Sequence, residues 1–312
     1  ENMRRIFRGL KFTYLTVFDL TGDCMFDVKL DGAINSTEPI DISAGFELIN
    51  GNGAISMGIT KDIKVNNFYT KGKYETGNIS KTSIDSFNIS ISDQNFSGYM
   101  NLSGSKDLIL DLFIRGNISK SFLKKYPSNG DISINGLNIK THFNMSKILP
   151  QVKYVSINGG IGLSAWSYKN GPYSFNKING NLTLKDDQIL INELKGNLNN
   201  EAFVFNGHIP GFRQISKKYF SNFKVPAIDK IVGTMTINSF EYAESHIENE
   251  EDIEPFEIEE KPDLDITLKV GRFKYIDMTS SPVRFKINKR AKRIAINNLN
   301  ARYLDGMILG NF

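Results

Sequence analysis

The chain has 312 residues and a mass of 35.2 kDa, with 40% hydrophobic and 23% charged residues, which is ordinary for a folded domain and enough to bury a core. Its formal charge of +4 and pI of about 8.9 are a mild bias, without the concentrated basic stripe that nucleic-acid binding needs. The one cysteine, Cys24, excludes an intrachain disulfide framework and a cysteine-based zinc module, and leaves cytosol and periplasm both open.

No run approaches the roughly 18 apolar residues of a membrane-spanning helix, and the opening ENMRRIFRGLKF has neither an apolar signal segment nor a cleavage site. Because the sequence opens at Glu1, it reads as an internal or trimmed piece from which an upstream anchor or signal could have been lost. Residues Asn2 to Phe18 fit a short helix running into a strand. From Leu20 the alternation is plainer: Cys24, Phe26, Val28 and Leu30 share one face, acids and Lys29 lie between them, and Gly32 closes the strand. Further strands are predicted at Ile40–Ile49, Ala54–Ile59, Ile63–Thr70, Gly77–Ile91, Phe96–Ser103, Leu108–Gly116, Asp131–Phe143 and Tyr154–Tyr168. Turns are predicted at Asp31-Gly32, Asn50-Gly51, Asn129-Gly130, Asn135-Gly136, Asn158-Gly159 and Asn206-Gly207, because such dipeptides supply the positive φ of tight hairpins.

Two interruptions are alike and read as short amphipathic helices, near Ser119–Tyr126 and Phe212–Phe223. Each follows a strand and carries apolar residues at helical spacing beside Ser-Lys and Lys-Lys-Tyr before a proline. Between them Tyr173–Pro210 reads as a β-meander. Ile178, Gly180, Leu182 and Leu184 alternate with polar residues, a turn follows at Lys185–Gln188, Ile189 and Ile191 share a face, and so do Phe203, Phe205, Gly207 and Ile209. The run Glu244–Lys261 is almost alternately acidic, and charges that dense predict a solvated, protease-sensitive loop. Strands resume after it: Leu264, Ile266, Leu268 and Val270 alternate, and Val283, Phe285 and Ile287 are expected to pair with Ile294 and Ile296 across the basic turn Lys289–Arg293.

Few residues carry chemistry. The basic turn reads as a device that keeps a hairpin soluble. Eight Asn-x-Ser/Thr triplets reflect strands rich in Asn and Ser more than glycosylation. His142, His208 and His246 lie far apart with no partner at ligand spacing, and no nucleophile elbow or P-loop occurs. Asp186-Asp187 and the strand pair Asp263/Asp265 are the carboxylate pairs a hydrolase could use, and only convergence in a cleft would make them catalytic. The expectation is a protein that is not an enzyme, with no cofactor.

The segment FNKINGNLTLKDDQILINELKGNLNNEAFVFNGHI, through Ile178–Leu184, Asp186-Asp187, Ile189–Leu194 and Phe203–Ile209, resembles the C-terminal region of the AsmA-like family, relatives of the TamB proteins. The segment from Leu268 to Phe312 is similar to that family's following repeat. The resemblance covers most of Tyr154–Phe312; the family's N-terminal membrane helix and the acidic run have no match in it. It implies an all-β fold, a long curled antiparallel sheet enclosing an open, taco-like groove with a few short amphipathic helices. It also implies a periplasmic protein anchored in the inner membrane of a Gram-negative envelope, shielding phospholipid acyl chains for outer-membrane biogenesis. Partners would be phospholipid, a membrane and other envelope proteins. On this reading 1–153 is an N-terminal sheet segment, 154–243 the family-like meander, 244–262 an acidic loop and 263–312 the closing strands. Ile178, Leu182, Leu184, Ile189, Ile191, Phe203, Phe205 and Ile209 would line the lipid groove. A structural or adhesive β-rich interaction module is the alternative.

Overall fold

The computed structural model describes residues 18–32, 40–55, 63–76, 79–91, 94–105, 107–123, 129–144, 151–170, 173–185, 187–212, 228–242, 260, 262–275, 278–303 and 306–311. Strand fills most of them, and the strands form one seventeen-stranded sheet that is not closed into a barrel. In chain order they are β1 (Phe18–Asp31), β2 (Asp41–Ile55), β3 (Ile63–Glu75), β4 (Lys81–Ile91), β5 (Gln94–Gly104), β6 (Asp107–Ile118), β7 (Asn129–Asn144), β8 (Gln151–Asn170), β9 (Tyr173–Lys185), β10 (Gln188–Leu198), β11 (Glu201–Pro210), β12 (Lys230–Tyr242), β13 (Asp263–Tyr275), β14 (Met278–Ser280), β15 (Val283–Arg290), β16 (Arg293–Tyr303) and β17 (Gly306–Gly310). Helix among the described residues at the first predicted site is a single turn, α1 (Lys120–Leu123), too short to present an amphipathic face. The second predicted helix, apart from Phe212, lies outside the described residues, as do Asn2–Val17 and the acidic run apart from Glu260.

The chain divides into two compact units, Glu1–Asn117 with Gly136–Val155, and Ile118–Asn135 with Ser156–Phe312. In the first, β1 to β6 form an antiparallel meander whose cross-strand row Phe26, Phe46, Gly72, Ile84, Met100, Leu112 puts the apolar residues on one face. Its other face carries Glu47 with the Tyr69 hydroxyl and Lys71, Asp111 with Lys140, and Arg115 with Ser97. In the second unit the rows run Leu163–Gly180, Leu182–Ile191, Leu184–Ile189–Ile209 and Phe203–Ile237–Val270–Val283–Ala301, again on one face. The β15–β16 hairpin pairs Ile287 with Ile296 and turns at Ala291-Lys292 as its alternation indicates, but Ile294 pairs with Lys289 and Val283 with Ala301, because a register shift between Arg284 and Lys286 takes Phe285 out of the expected pairing.

One pair departs from the antiparallel expectation. β12 and β13 run parallel, from Lys230 opposite Asp263 to Tyr242 opposite Tyr275. A hairpin needs only a few residues, whereas the twenty residues between these strands are long enough to return to the start of the sheet. The acidic run falls between these two parallel strands in the sequence.

The Asn-Gly dipeptides correct a second expectation. Asn50-Gly51, Asn135-Gly136, Asn158-Gly159 and Asn206-Gly207 all sit inside strands, so Ile40–Ile49 and the start of Ala54–Ile59 are one strand, β2. At Asn50 the backbone bulges instead of turning. Asn50, Asn67, Ala165, Lys177, Glu193 and Asn298 have φ between 51° and 55° within strands, each at a shift in register. A left-handed residue opens a bulge that turns its own N–H out of the ladder. In four cases an asparagine of the neighbouring stretch accepts that N–H: Asn52 Oδ1 from Asn67 (3.2 Å), Asn179 from Ala165 (2.9 Å), Asn206 from Glu193 (2.9 Å) and Asn311 from Asn298 (2.7 Å). Asn52 and Asn179 also donate to the carbonyls of Asn50 and Lys177 on their own strands. The abundance of asparagine thus has a backbone role, since an amide carries its acceptor oxygen and its donor nitrogen on separate atoms and can serve two backbone groups at once.

Asn206→Leu should remove the acceptor of the Glu193 N–H and lower the stability of the second unit by about 0.5–1.5 kcal/mol, while Asn206→Asp, which keeps the acceptor, should cost less. Urea denaturation monitored at Trp166 checks it, and equal losses for both variants would contradict the bulge-capping role.

Candidate functional site

The eight apolar residues of the meander come together on one face. Ile189 pairs with both Leu184 and Ile209, Ile191 pairs with Leu182 and Gly207, Phe205 faces Leu194, and Phe203 faces Gly196. Ile178 is opposite Trp166 of β8. Leu184, Ile191, Phe203 and Ile209 are buried, and Ile178, Leu182, Ile189 and Phe205 are half-buried. The mixture is graded across the strands. Burial is deepest at Ile237 and Val270, 1% and 2% exposed, which face each other on β12 and β13.

Glycines shape this face as much as the apolar side chains do. Gly207 and Gly233 are paired, and a Cβ at either would come within 2.8 Å or 2.6 Å of the Phe205 ring tip. Two missing side chains thus let one aromatic ring lie over the backbone. Phe175 meets Phe203 edge-on at 5.9 Å, and Phe175, Ile178, Phe205, Met235, Phe240 and Leu268 pack around Leu198, Phe203 and Ile237. Sequence reasoning left out Trp166, Phe175, Met235, Ile237 and Leu268. The alternation of TMTINSF in β12 was there to find them, but only the register brings it beside β11. Trp166 also donates its ring N–H to the Asp131 carbonyl at 3.0 Å, which fixes the indole at the rim of the row.

The first unit presents an apolar face of another kind. Phe26, Val28 and Leu30 on edge strand β1 are 43%, 56% and 64% exposed, although they pair with Phe46, Ala44 and Ile42 on the face that buries Leu48. Here an apolar surface runs out into solvent at the edge of the sheet. Cys24 stands in the same row, and partial burial pushes its thiol up from its ordinary value.

The titratable candidates are held in ion pairs. Asp265 is 2.8 Å from the Lys286 ammonium, with Arg290 and Lys230 at 3.8 and 4.0 Å, and the Lys286 hydrogen bond holds its carboxyl below the ordinary range. Asp263 accepts the Ala291 N–H and faces Arg290. Asp107 accepts from Lys153 and Asn144, both at 2.9 Å, and the Lys153 bond is the main reason its carboxyl is lowered; His142 stands 3.7 Å away. Such pairing favours the ionised carboxylate at Asp265 and Asp107. Asp187 lies in a turn, where its carbonyl accepts the Phe212 N–H. His208 lies on the polar face between Leu190 and Val232.

The basic turn is only partly basic surface. Lys289 is 7% exposed and its ammonium donates to the carbonyls of Glu260 and Pro262, while Arg290 donates to Leu264. Among the described residues no group of three His, Cys, Asp or Glu side chains could hold a metal ion, and no helix is long and apolar enough to cross a membrane. No protein-family model, curated protein or solved structure matches the chain.

Proposed function

We propose that the protein is a non-enzymatic cell-envelope protein whose apolar sheet faces shield or conduct phospholipid acyl chains. The observation that carries the proposal is an apolar face that continues past its buried centre into water, at Phe26, Val28 and Leu30 of β1. Apolar area costs roughly 25 cal/mol per Å² when left in water, and an exposed contiguous row of this kind marks a surface that receives an apolar partner. An acyl chain suits it because adjacent alternating strands make a strip rather than a pocket, and a strip matches a long, narrow, featureless ligand. The lining in the second unit is Ile178, Leu182, Leu184, Ile189, Ile191, Phe203, Phe205 and Ile209. The opposite face of the first unit carries the Glu47–Lys71 and Asp111–Lys140 ion pairs beside the stacked rings of Tyr99 and Phe113. A periplasmic location with inner-membrane anchoring belongs to the same proposal, as does a place in outer-membrane biogenesis.

The adhesive or structural module keeps a specific observation in its favour, the near-complete burial of Ile237 and Val270, which is what a protein core looks like. Organic extraction of the purified protein, followed by mass spectrometry, separates the two. Stoichiometric phospholipid supports the lipid reading, and protein that is monodisperse yet free of lipid contradicts it.

A further inference from the structure

On the closing strands of the second unit the apolar face carries the row Val270–Val283–Ala301–Ile308. Alternation puts the neighbouring row, Lys269–Arg284–Asn300–Leu309, on the opposite face, and all four of its residues are exposed. Lys269 and Arg284 stand directly opposite one another. Arg302, also exposed, lies two residues beyond Asn300 and is the diagonal neighbour of Arg284. Like charges facing each other across a ladder repel and weaken the sheet that carries them. No carboxylate among the described residues relieves them. The acids of β12 to β17 are Glu241, Asp263 and Asp265, and they pair with Lys274, Arg290 and Lys286 respectively.

A second observation falls on the same face. A half-buried strand alternates apolar with polar residues, but β17 reads Met307-Ile308-Leu309 and is apolar on both sides. Ile308 faces Ala301 on the apolar side of the sheet. Met307 and Leu309, opposite Arg302 and Asn300, share the face of the cations and are 65% and 68% exposed. Two large apolar side chains thus stand in water beside three cations that have no counter-charge among the described residues.

We propose that this face docks on an anionic lipid bilayer, with Lys269, Arg284 and Arg302 against headgroup phosphates and Met307 and Leu309 entering the interface. Charge complementarity calls for an anion, and a bridging anion relieves the repulsion between Lys269 and Arg284. The adjacent apolar pair favours a bilayer over a soluble polyanion, because a bilayer offers phosphates and hydrocarbon side by side. The docking face lies opposite the proposed acyl-chain lining, so the docking stands whether or not lipid occupies that lining.

The test is co-sedimentation of the full chain with vesicles of phosphatidylcholine alone, and of phosphatidylcholine with about one third phosphatidylglycerol. The anionic vesicles should bind at least about tenfold more tightly, since each cation near such a surface contributes about fivefold. Lys269→Gln/Arg284→Gln should lose about 25-fold on the anionic vesicles, with a melting temperature unchanged or raised because the repulsion is gone. Met307→Ser/Leu309→Ser should weaken binding several-fold. Equal affinity of the native chain for both vesicles, or an undiminished preference in the glutamine variant, would overturn the proposal. Tight binding to heparin together with no loss in Met307→Ser/Leu309→Ser would give the cations to a soluble polyanion and overturn it too. If the glutamine variant fails to fold, an environment-sensitive dye on Leu309→Cys in a Cys24→Ser chain decides instead. A rise in its fluorescence with anionic vesicles and not with neutral ones supports the docking, and no rise, or an equal rise with both, overturns it.

Discussion

Ile237→Asp is expected to abolish cooperative unfolding of the second unit. Ile237 is 1% exposed, pairs with Phe203 on one side and Val270 on the other, and packs with Leu198 and Phe240. A carboxylate there has no cation on its face within that cluster, and an unpaired buried charge costs several kcal/mol. Domains of this size are stable by only about 5–15 kcal/mol, so the variant should lose its melting transition or show it lowered by more than about 10 °C. Ile237→Val removes one methyl and should cost about 0.5–1.5 kcal/mol. Calorimetry checks both, and an unchanged transition for the aspartate variant would mean that water reaches the centre of the face.

Leu182→Asp and Phe205→Lys should behave differently. Leu182 pairs with Ile161 and Ile191, and Phe205 with Leu194 and Met235, yet both side chains are only half-buried. A charge at either position can keep part of its hydration, so the melting temperature should fall by a few degrees while bound phospholipid is lost nearly completely, because a charge in the strip desolvates at the acyl chain's expense. Circular dichroism melting read beside lipid content gives the answer. Collapse of both variants, as at Ile237, would make the whole face a protein core and favour the interaction module.

The alternation of ILIN and FVFNGHI is visible in the sequence because strand faces repeat every second residue, and that period by itself groups the residues of the meander's shared face. Register is not visible in the same way. Asn50-Gly51 and Asn206-Gly207 have the chemistry of hairpin turns, and only the ladder on both sides shows that they lie within strands. The parallel pair escapes for a related reason: local pattern says which residues form a strand but not which way its neighbour runs. Lys289 illustrates the limit for side chains, since a lysine in a basic turn reads as solvated until Glu260 and Pro262 are seen to offer it two carbonyls. Among the lining residues, sequence can group Ile178 with Leu182. It cannot show that Gly207 and Gly233 leave room for the Phe205 ring.

The most direct test of lipid contact exploits the neighbouring residues Leu182 and Thr183, which alternation places on opposite faces of β9, opposite Ile191 and Leu190 respectively. A photoreactive amino acid at each position, activated in intact cells, reports what touches that face. The account predicts phospholipid adducts by mass spectrometry at Leu182 and none at Thr183. Adducts at Leu182 made only with protein, or lipid adducts equal at both positions, would contradict it.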